Sequence, residues 1–463
     1  MKRRIIIITA LLFVVLLASL YLYFNHKTRP NIVIILIDAL RKDHLGCYGY
    51  HRETSPNIDA FAGNAVKFMD TVSTCSWTSP SIASLFTCLY VSSHGLKTHS
   101  QKSTDILDLK FETLAEALKK NGYTTSAFIA NRWIREEFNY NQGFDSFEQV
   151  GGDIPRPSGA LVREKVTKWL QDKPKGPFFL YIHFMDVHGP YLPPYPYNTF
   201  FKSEKTRDLS PQEYMKLRYL KIEGQMDLNF YISQYDGGIR YCDYHVGKII
   251  QYLKENGLFD DTIIIITSDH GEAFFEHGEC DHGFTLYNEE IEVPLLMRFP
   301  HSMDLEINTH IKPLLIDIGV TLLDIIGAQF PYEVDGLSLV SQGKKRNREQ
   351  KRQRIYSEEY MKGVPKIAVI EDDMKYIYHI PQEKIVEVYN LREDKGEKEN
   401  LLMNEKIAAS NEQREEDIGT WLHLKETRRD SISKKREQTE IDPLTLEQLK
   451  SLGYIQYEEN QDN

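Results

Sequence analysis

Cysteine is scarce: there are five in 463 residues (Cys47, Cys75, Cys88, Cys242 and Cys280), with no CxxC pair. This excludes a zinc–thiolate array and a dense disulfide framework, and the odd count leaves at least one thiol unpaired within the chain. One or two disulfides fit if the chain is exported. Excess basic charge is also missing: 56 Lys and Arg face 67 Asp and Glu, for a net charge of -11. No basic stripe is interleaved with aromatics, so nucleic acid is not an expected partner. The basic cluster at residues 344–354 reads as a solvated linker. Internal repeats are absent. Only one long hydrophobic run occurs, an uncharged stretch of 20 at residues 5–24 behind Lys2, Arg3 and Arg4. As a helix at ~1.5 Å per residue it spans about 30 Å, one bilayer core. We read residues 1–29 as an uncleaved membrane anchor and linker that place the remainder on the extracytoplasmic side.

The most informative segment is TIIIITSDHGE, residues 262–272, where a β-branched apolar run stops on Asp269, His270 and a glycine. Such a run describes a strand buried on both faces, in the middle of a parallel sheet. Ligands of open α/β sheets sit beyond the carboxyl ends of these strands. NIVIILID, residues 31–38, is a second such strand, ending on Asp38. Residues 123–130, 177–186 and 293–300 read as further strands, and residues 107–121, 159–172 and 234–256 as helices. Strands alternating with helices indicate an α/β fold with a doubly wound, mostly parallel sheet, here over residues 30–343. Residues 344–463 read as a C-terminal subdomain with a small antiparallel sheet (strands at 354–360, 366–379 and 385–391) and a charged tail.

Parallel strands end on one edge, so Asp38, the group His183, Asp186 and His188, and the pair Asp269 and His270 converge there although distant in the chain. Carboxylates with imidazole suit a divalent metal. The segment SWTSPSIASLFT, residues 76–87, offers a nucleophile. Pro80 and Ser81 are helix-start residues, which puts Thr78 just before a helix N-terminus, whose partial positive charge favours an anionic ester and a more acidic hydroxyl.

With these residues in view, the chain resembles the sulfatase branch of the alkaline phosphatase superfamily from residue 31 to about residue 402. The matching segments are NIVIILIDALRKDHLGCYGY with SPNID, TSPSIASLFT, SSHG, NGYTT, FMDVHGPY, SDHGEAFFEHG with HGFTLYNEEIEVPLL, and VYNLREDKGEKENL. The resemblance implies that Asp38, Asp269 and His270 are metal ligands, with Thr78 both nucleophile and fourth ligand. It makes His188 and His282 contacts of the transferred group or proton donors to the leaving oxygen. His94 is expected to support the site from behind the nucleophile helix, and Asn131 and His183 are candidate substrate contacts.

Where most sulfatases carry Cys-x-Pro-Ser-Arg, this chain has Thr78-Ser79-Pro80-Ser81-Ile82. Threonine cannot become formylglycine, and Cys75 has Trp77 two positions on instead of proline, so no formylglycine is expected. The family's Lys-x-His after NGYTT is replaced by the region of Asn131 and Arg132, Ala39 stands where many sulfatases have Asp, and His270 where they have Asn. These departures resemble threonine-dependent members of the superfamily. The expectation is phosphate-ester chemistry: phosphodiester hydrolysis, or phosphoglycerol or phosphoethanolamine transfer, on a small-molecule, glycan or lipid ester. One divalent ion is implied, manganese or zinc before magnesium or calcium. An unconventional sulfatase and an inactive binding protein of the same fold are the alternatives.

Overall fold

The structure is a computed structural model that describes residues 29–97, 103–151, 158–172, 174–202, 207–340, 352–408, 410–433 and 438–451. Its centre is a seven-stranded sheet of β1 (Asn31–Ile37), β2 (Val66–Val72), β3 (Thr124–Ile129), β4 (Ser146–Gln149), β5 (Phe178–Phe184), β6 (Thr262–Thr267) and β7 (Glu292–Arg298), in the order β2-β7-β6-β1-β5-β3-β4. Strands β6, β1, β5, β3 and β4 are mutually parallel, as the apolar runs of all but β4 predict; β4, SFEQ, has no such run and was not expected. Every side chain of β5 and β6 is buried, so the sheet is covered on both faces.

The sheet is mostly parallel, as expected, with one core strand reversed. β7 runs antiparallel to both β6 and β2, which makes the sheet mixed. The connection carries no crossover helix: between β6 and β7 the chain forms a short hairpin, Ala273–Phe274 with Cys280–Asp281, and a single helical turn, Asn288–Ile291. β2 escaped the sequence reading because Lys67 and Asp70 interrupt it, as an edge strand permits.

The helices α1 (Pro56–Ala62), α2 (Thr78–Thr87), α3 (Leu114–Lys120), α4 (Gly159–Gln171), α5 (Leu228–Glu255) and α6 (Ile316–Ile326) form two packed groups, α1 with α4 and α5, and α2 with α3 and α6. α3 is shorter than the expected 107–121 because Thr113 starts it with a capping box, accepting from Glu116 N and pairing with the Glu116 side chain. α5 begins six residues earlier than residue 234, capped by Asp227.

The C-terminal sheet has four antiparallel strands, β8 (Arg354–Glu359), β9 (Lys366–Glu371), β10 (Met374–His379) and β11 (Lys384–Asn390), in sequence order. The expected single strand at 366–379 is a hairpin, β9 and β10. Helix α7 (Asn411–Ile432) lies against the sheet through Trp421, stacked 3.9 Å from Tyr356. All five cysteines are unpaired. The expected anchor lies outside the described residues; among the described residues, no helix is long and apolar enough to cross a membrane.

Candidate active site

Asp38 follows directly on β1, and the next residue turns sharply. Ala39 has φ 56°, a left-handed conformation uncommon outside glycine. The turn is held from several sides: Ala39 N donates to Asp269 Oδ1 (3.2 Å), Tyr235 Oη to Ala39 O (2.7 Å) and Leu40 N to Ser268 Oγ (2.9 Å). Strain of this kind persists only where the surroundings over-determine it, and here it fixes the direction of Asp38.

Asp269 and His270 leave β6 at the same edge. Asp269 Oδ1 accepts from His270 N (3.0 Å), and its backbone carbonyl accepts from Ser73 Oγ (2.5 Å) and Ser81 Oγ (2.8 Å). The Ser81 bond ties α2, the helix that begins at Thr78, to the strand end. Gly271 is required by close approach, since a Cβ there would sit 2.0 Å from Glu289 O.

Thr78 is the first residue of α2 and not the residue before it. The cap position belongs to Trp77, which offers no side-chain cap. The amino end of the helix is therefore open to an anion, and Thr78 Oγ1 lies at it, 3.2 Å from His270 Nε2. His270 Nε2 is in turn 3.6 Å from Asp38 Oδ1 and 3.5 Å from Asp269 Oδ2. All four side chains are fully buried.

The donor set fits a divalent cation. One ligand atom from each of Asp38, Asp269 and His270 lies within 4.8 Å of the others, and Asp38 Oδ1 and Asp269 Oδ2 are buried without a hydrogen-bonding donor. Burial raises the Asp38 carboxyl against the pull of His270 and His282. Burial and then the charge of Asp38 raise that of Asp269. Burial lowers His270, leaving its imidazole neutral and its lone pair available.

Asn131 and His183 are brought to the same place but turned toward Asp38: Asn131 Nδ2 donates to Asp38 Oδ2 at 2.5 Å, and His183 Nε2 lies 3.0 Å from the same oxygen. Tyr181 Oη, 3.0 Å from His183 Nδ1, orients the ring, and burial pushes His183 down to about 4. They sit as supports of a ligand carboxylate. His94 lies behind α2, with Nε2 3.0 Å from Ser84 Oγ and Nδ1 accepting from Leu96 N (3.1 Å). Burial takes it down to about 3.

His188 and His282 meet beside His270, both buried. Their rings are 4.8 Å apart, and His282 lies 4.2 Å from the His270 ring. His188 Nδ1 is fixed on Gly189 O at 2.6 Å. Around His282 stand groups that sequence reasoning missed. Glu272 Oε1 and Asp281 Oδ1 lie 3.2 and 3.1 Å from its Nδ1, and Lys362 Nζ reaches Asp281 Oδ2 (3.1 Å) and His282 O (3.0 Å). Lys362 comes from the turn between β8 and β9, about 80 residues downstream in a stretch without a motif; only the fold reveals it. Glu272 was legible within the DHGE run but had no obvious partner.

Comparisons with known proteins bear on the family and the fold. The family model described as Sulfatase matches residues 30–328, and the model for the C-terminal part of N-sulphoglucosamine sulphohydrolase matches residues 275–421. A multifunctional alkaline phosphatase superfamily protein, PehA of Trinickia caryophylli, is 25% identical over 406 residues, covering 68% of this chain and 77% of that protein. An N-acetylglucosamine-6-O-sulfatase of Bacteroides thetaiotaomicron is 22% identical over 400 residues, covering 67% and 70%. Among solved structures, the phosphonate monoester hydrolase of Agrobacterium radiobacter superposes with a TM-score of 0.67 at 21% identity, covering 86% of this chain and 96% of that one. Fold and site together define an ester-cleaving α/β hydrolase of the alkaline phosphatase type. The chain belongs to the sulfatase family.

Proposed function

We propose that this enzyme cleaves or transfers phosphate-ester groups through a covalent Thr78 intermediate, with phosphodiester hydrolysis or phosphoglycerol- or phosphoethanolamine-type transfer as its reaction. The observation that carries the reading is Thr78 Oγ1 at the uncapped amino end of α2, 3.2 Å from His270 Nε2. A threonine ester of phosphate can be displaced by an oxygen nucleophile, whereas the formylglycine route open to a cysteine is closed to Thr78.

A divalent ion held by Asp38, Asp269 and His270, of which manganese or zinc suits the donor set best, would acidify the Thr78 hydroxyl and offset charge on the transferred group. Thr78 Oγ1, its proton lost to solvent, attacks phosphorus while the ester P–O bond breaks, and the backbone N–H groups of Thr78 and Ser79 face the developing charge. His188 or His282 gives a proton to the departing oxygen. Burial holds both imidazoles toward the neutral form, and the incoming ester anion favours their protonation. In the second half the same imidazole takes a proton from water or an acceptor hydroxyl, whose oxygen attacks phosphorus and releases Thr78.

Leu192, Tyr195 and Phe200, exposed on the loop that follows His188, favour a substrate with a sugar or apolar face. Residues 29 and 30 enter β1 at the amino edge of the sheet, where Tyr123 Oη donates to Pro30 O (3.0 Å), while the site lies at the carboxyl edge, roughly 20 Å away. An anchor at residues 5–24 would keep the site near the extracytoplasmic membrane face, which suits a lipid or envelope glycan ester.

The test is turnover of a panel of aryl sulfate, phosphate monoester, phosphodiester and phosphonate monoester by the metal-supplemented enzyme. Phosphodiester turnover that falls on the order of a thousandfold or more in Thr78→Ala is expected. Exclusive aryl sulfate turnover, or full activity of Thr78→Ala, sinks the reading.

A further inference from the structure

We propose that Arg218 and Lys362, both lying over the Phe284 ring, form a subsite for a second anionic group on the leaving part of the substrate, so that the enzyme selects esters within polyanionic molecules. Arg218 Cζ is 4.2 Å and Lys362 Nζ 4.3 Å from the centre of that ring. Phe284 stands two residues beyond His282, and Lys362 Nζ is 3.0 Å from His282 O. Arg218 opens a single 3-10 turn, Arg218–Leu220, that packs on the loop of the other candidate proton donor. A Cβ on Gly189, the residue after His188, would meet Leu220 Cδ2 at 2.3 Å and Tyr219 Oη at 3.2 Å. Tyr219 Oη also donates to Asp281 Oδ1 (2.9 Å), beside His282. Both cations therefore border the loops that carry His188 and His282, and the inference rests on the reading of those two as proton donors to the leaving oxygen.

The charge balance there departs from that of the chain. Against a net charge of -11 overall, Lys216, Arg218, Lys221, Lys362 and Lys366 gather on the two segments that flank Phe284. Among the described residues, the carboxylates within ion-pair distance of these five are Glu279 and Asp281, so three positive charges are left over. Such an excess beside a reaction site draws in anionic substrate.

Packing accounts for Lys362, whose ammonium is met by Asp281 Oδ2 (3.1 Å) and by His282 O. It does not account for Arg218. A guanidinium has five N–H donors, and Arg218 spends one of them, from Nη1 to Lys216 O (3.2 Å). Glu279 Oε2, 3.8 Å from Nη2, lies beyond hydrogen-bond reach. Arg218 moreover has φ 52°, uncommon for a side-chain-bearing residue. Held on an aromatic face with most of its donors unspent, a guanidinium presents a fork matched to a carboxylate, sulfate or phosphate.

The test compares kcat/KM for esters that differ only in the leaving phenol, 4-nitrophenol against 3-carboxy-4-nitrophenol, with a phosphonate-bearing phenol as a third to separate a tetrahedral group from a planar one. The natural chain is expected to favour the anionic leaving groups about tenfold or more at low salt, a preference that shrinks as sodium chloride is added, and the better of the two identifies the group. Arg218→Gln and Lys362→Met should each cut the ratio of charged to uncharged ester about tenfold, and Arg218→Glu should lower it further. The ratio is blind to misfolding and to lost metal, which lower both rates together. No preference in the natural chain, or an unchanged ratio in Arg218→Gln, overturns the proposal. The esters are made both as phosphodiesters and as sulfates, so the ratio is read on whichever turns over. Equilibrium binding of the free phenols at about pH 6 involves no turnover and should show the same order, so the subsite and the reaction fail separately.

Discussion

Asp269→Asn should stabilise the metal-free protein while weakening the metal-loaded one. The carboxylates of Asp38 and Asp269 place an oxygen each within 4.8 Å, both fully buried. At an effective dielectric of about 20 their repulsion is ~3 kcal/mol. The substitution removes it at little structural cost, because an amide oxygen still accepts from Ala39 N and His270 N at the Oδ1 position. The amide nitrogen takes the Oδ2 position and faces the unsatisfied Asp38 Oδ1. Both carboxyls are raised in the folded state, so the fold binds more protons than the unfolded chain above about pH 4. Metal-free stability of the natural chain therefore falls as pH rises through the raised values, and the advantage of the variant grows with it. Thermal unfolding in chelator at pH 5 and pH 8 should show the variant little different at the lower pH and about 2–3 kcal/mol more stable at the higher. With metal at a hundred times its Kd the natural chain regains ~2.7 kcal/mol that the metal site no longer supplies in the variant. A metal-free variant that melts below the natural chain at pH 8 refutes the argument, because the two carboxylates would then not be in uncompensated proximity.

Lys375 and Glu397 form a fully buried ion pair at 2.7 Å under the C-terminal sheet. Lys375→Ala should cost about 3–5 kcal/mol in urea unfolding, and Lys375→Met with Glu397→Gln should recover most of it; an exposed-pair cost below about 1 kcal/mol would contradict the burial. Burial raises Glu359 to about 7, although Ser76 Oγ and Met361 N each donate to it at 2.5 Å. Its ionisation destabilises the fold progressively as pH climbs from about 4 through 7, so Glu359→Gln should gain up to ~3 kcal/mol at pH 8 and about 1 kcal/mol or less at pH 5. Equal gains at both values would dismiss the titration. The full-length chain should stay in the membrane pellet after an alkaline carbonate wash; release into the supernatant would exclude a spanning anchor at residues 5–24.

The parts of the site that lie at strand ends were legible, because an apolar run stopping on a carboxylate or imidazole is a local signal. Asp38, His183, Asp269 and His270 all stand where such runs end. Much of the surrounding family pattern proves to hold the frame. In SPNID, the segment around Asn57 and Ile58 is fixed by Asp243 of α5, which accepts from Asn57 N (3.0 Å) and Ile58 N (2.8 Å). In DHLGCYGY, His44 and Tyr50 converge with Arg52 on the buried Asp236, at 2.7, 2.8 and 2.7 Å respectively. Neither partner carboxylate on α5 could be assigned from sequence, since a mid-helix Asp carries no local sign of what it will meet. Strand direction was likewise hidden: β7 has the composition of a parallel core strand, and yet it runs antiparallel to β6 after a link that carries no crossover helix.

The C-terminal sheet was read as an appendage, yet it closes the site. Glu359, at the end of β8, accepts from Ser76, two residues before Thr78, while Glu358 N donates to Thr74 O (2.9 Å). Three residues beyond Glu359, Lys362 carries its charge to Asp281 and the backbone of His282. A single strand and its turn therefore touch the loop that positions Thr78 and the loop that positions His282. The distance between Thr78 and His282 is consequently set in part by a segment that lies outside the candidate catalytic residues. Chain length between these segments gave no hint of this, because the contacts join residues separated by about 80 and more than 280 positions. Substitutions in the turn at residues 360–363 are thus expected to alter how a bound ester is held between Thr78 and His282, with the ligand carboxylates left in place.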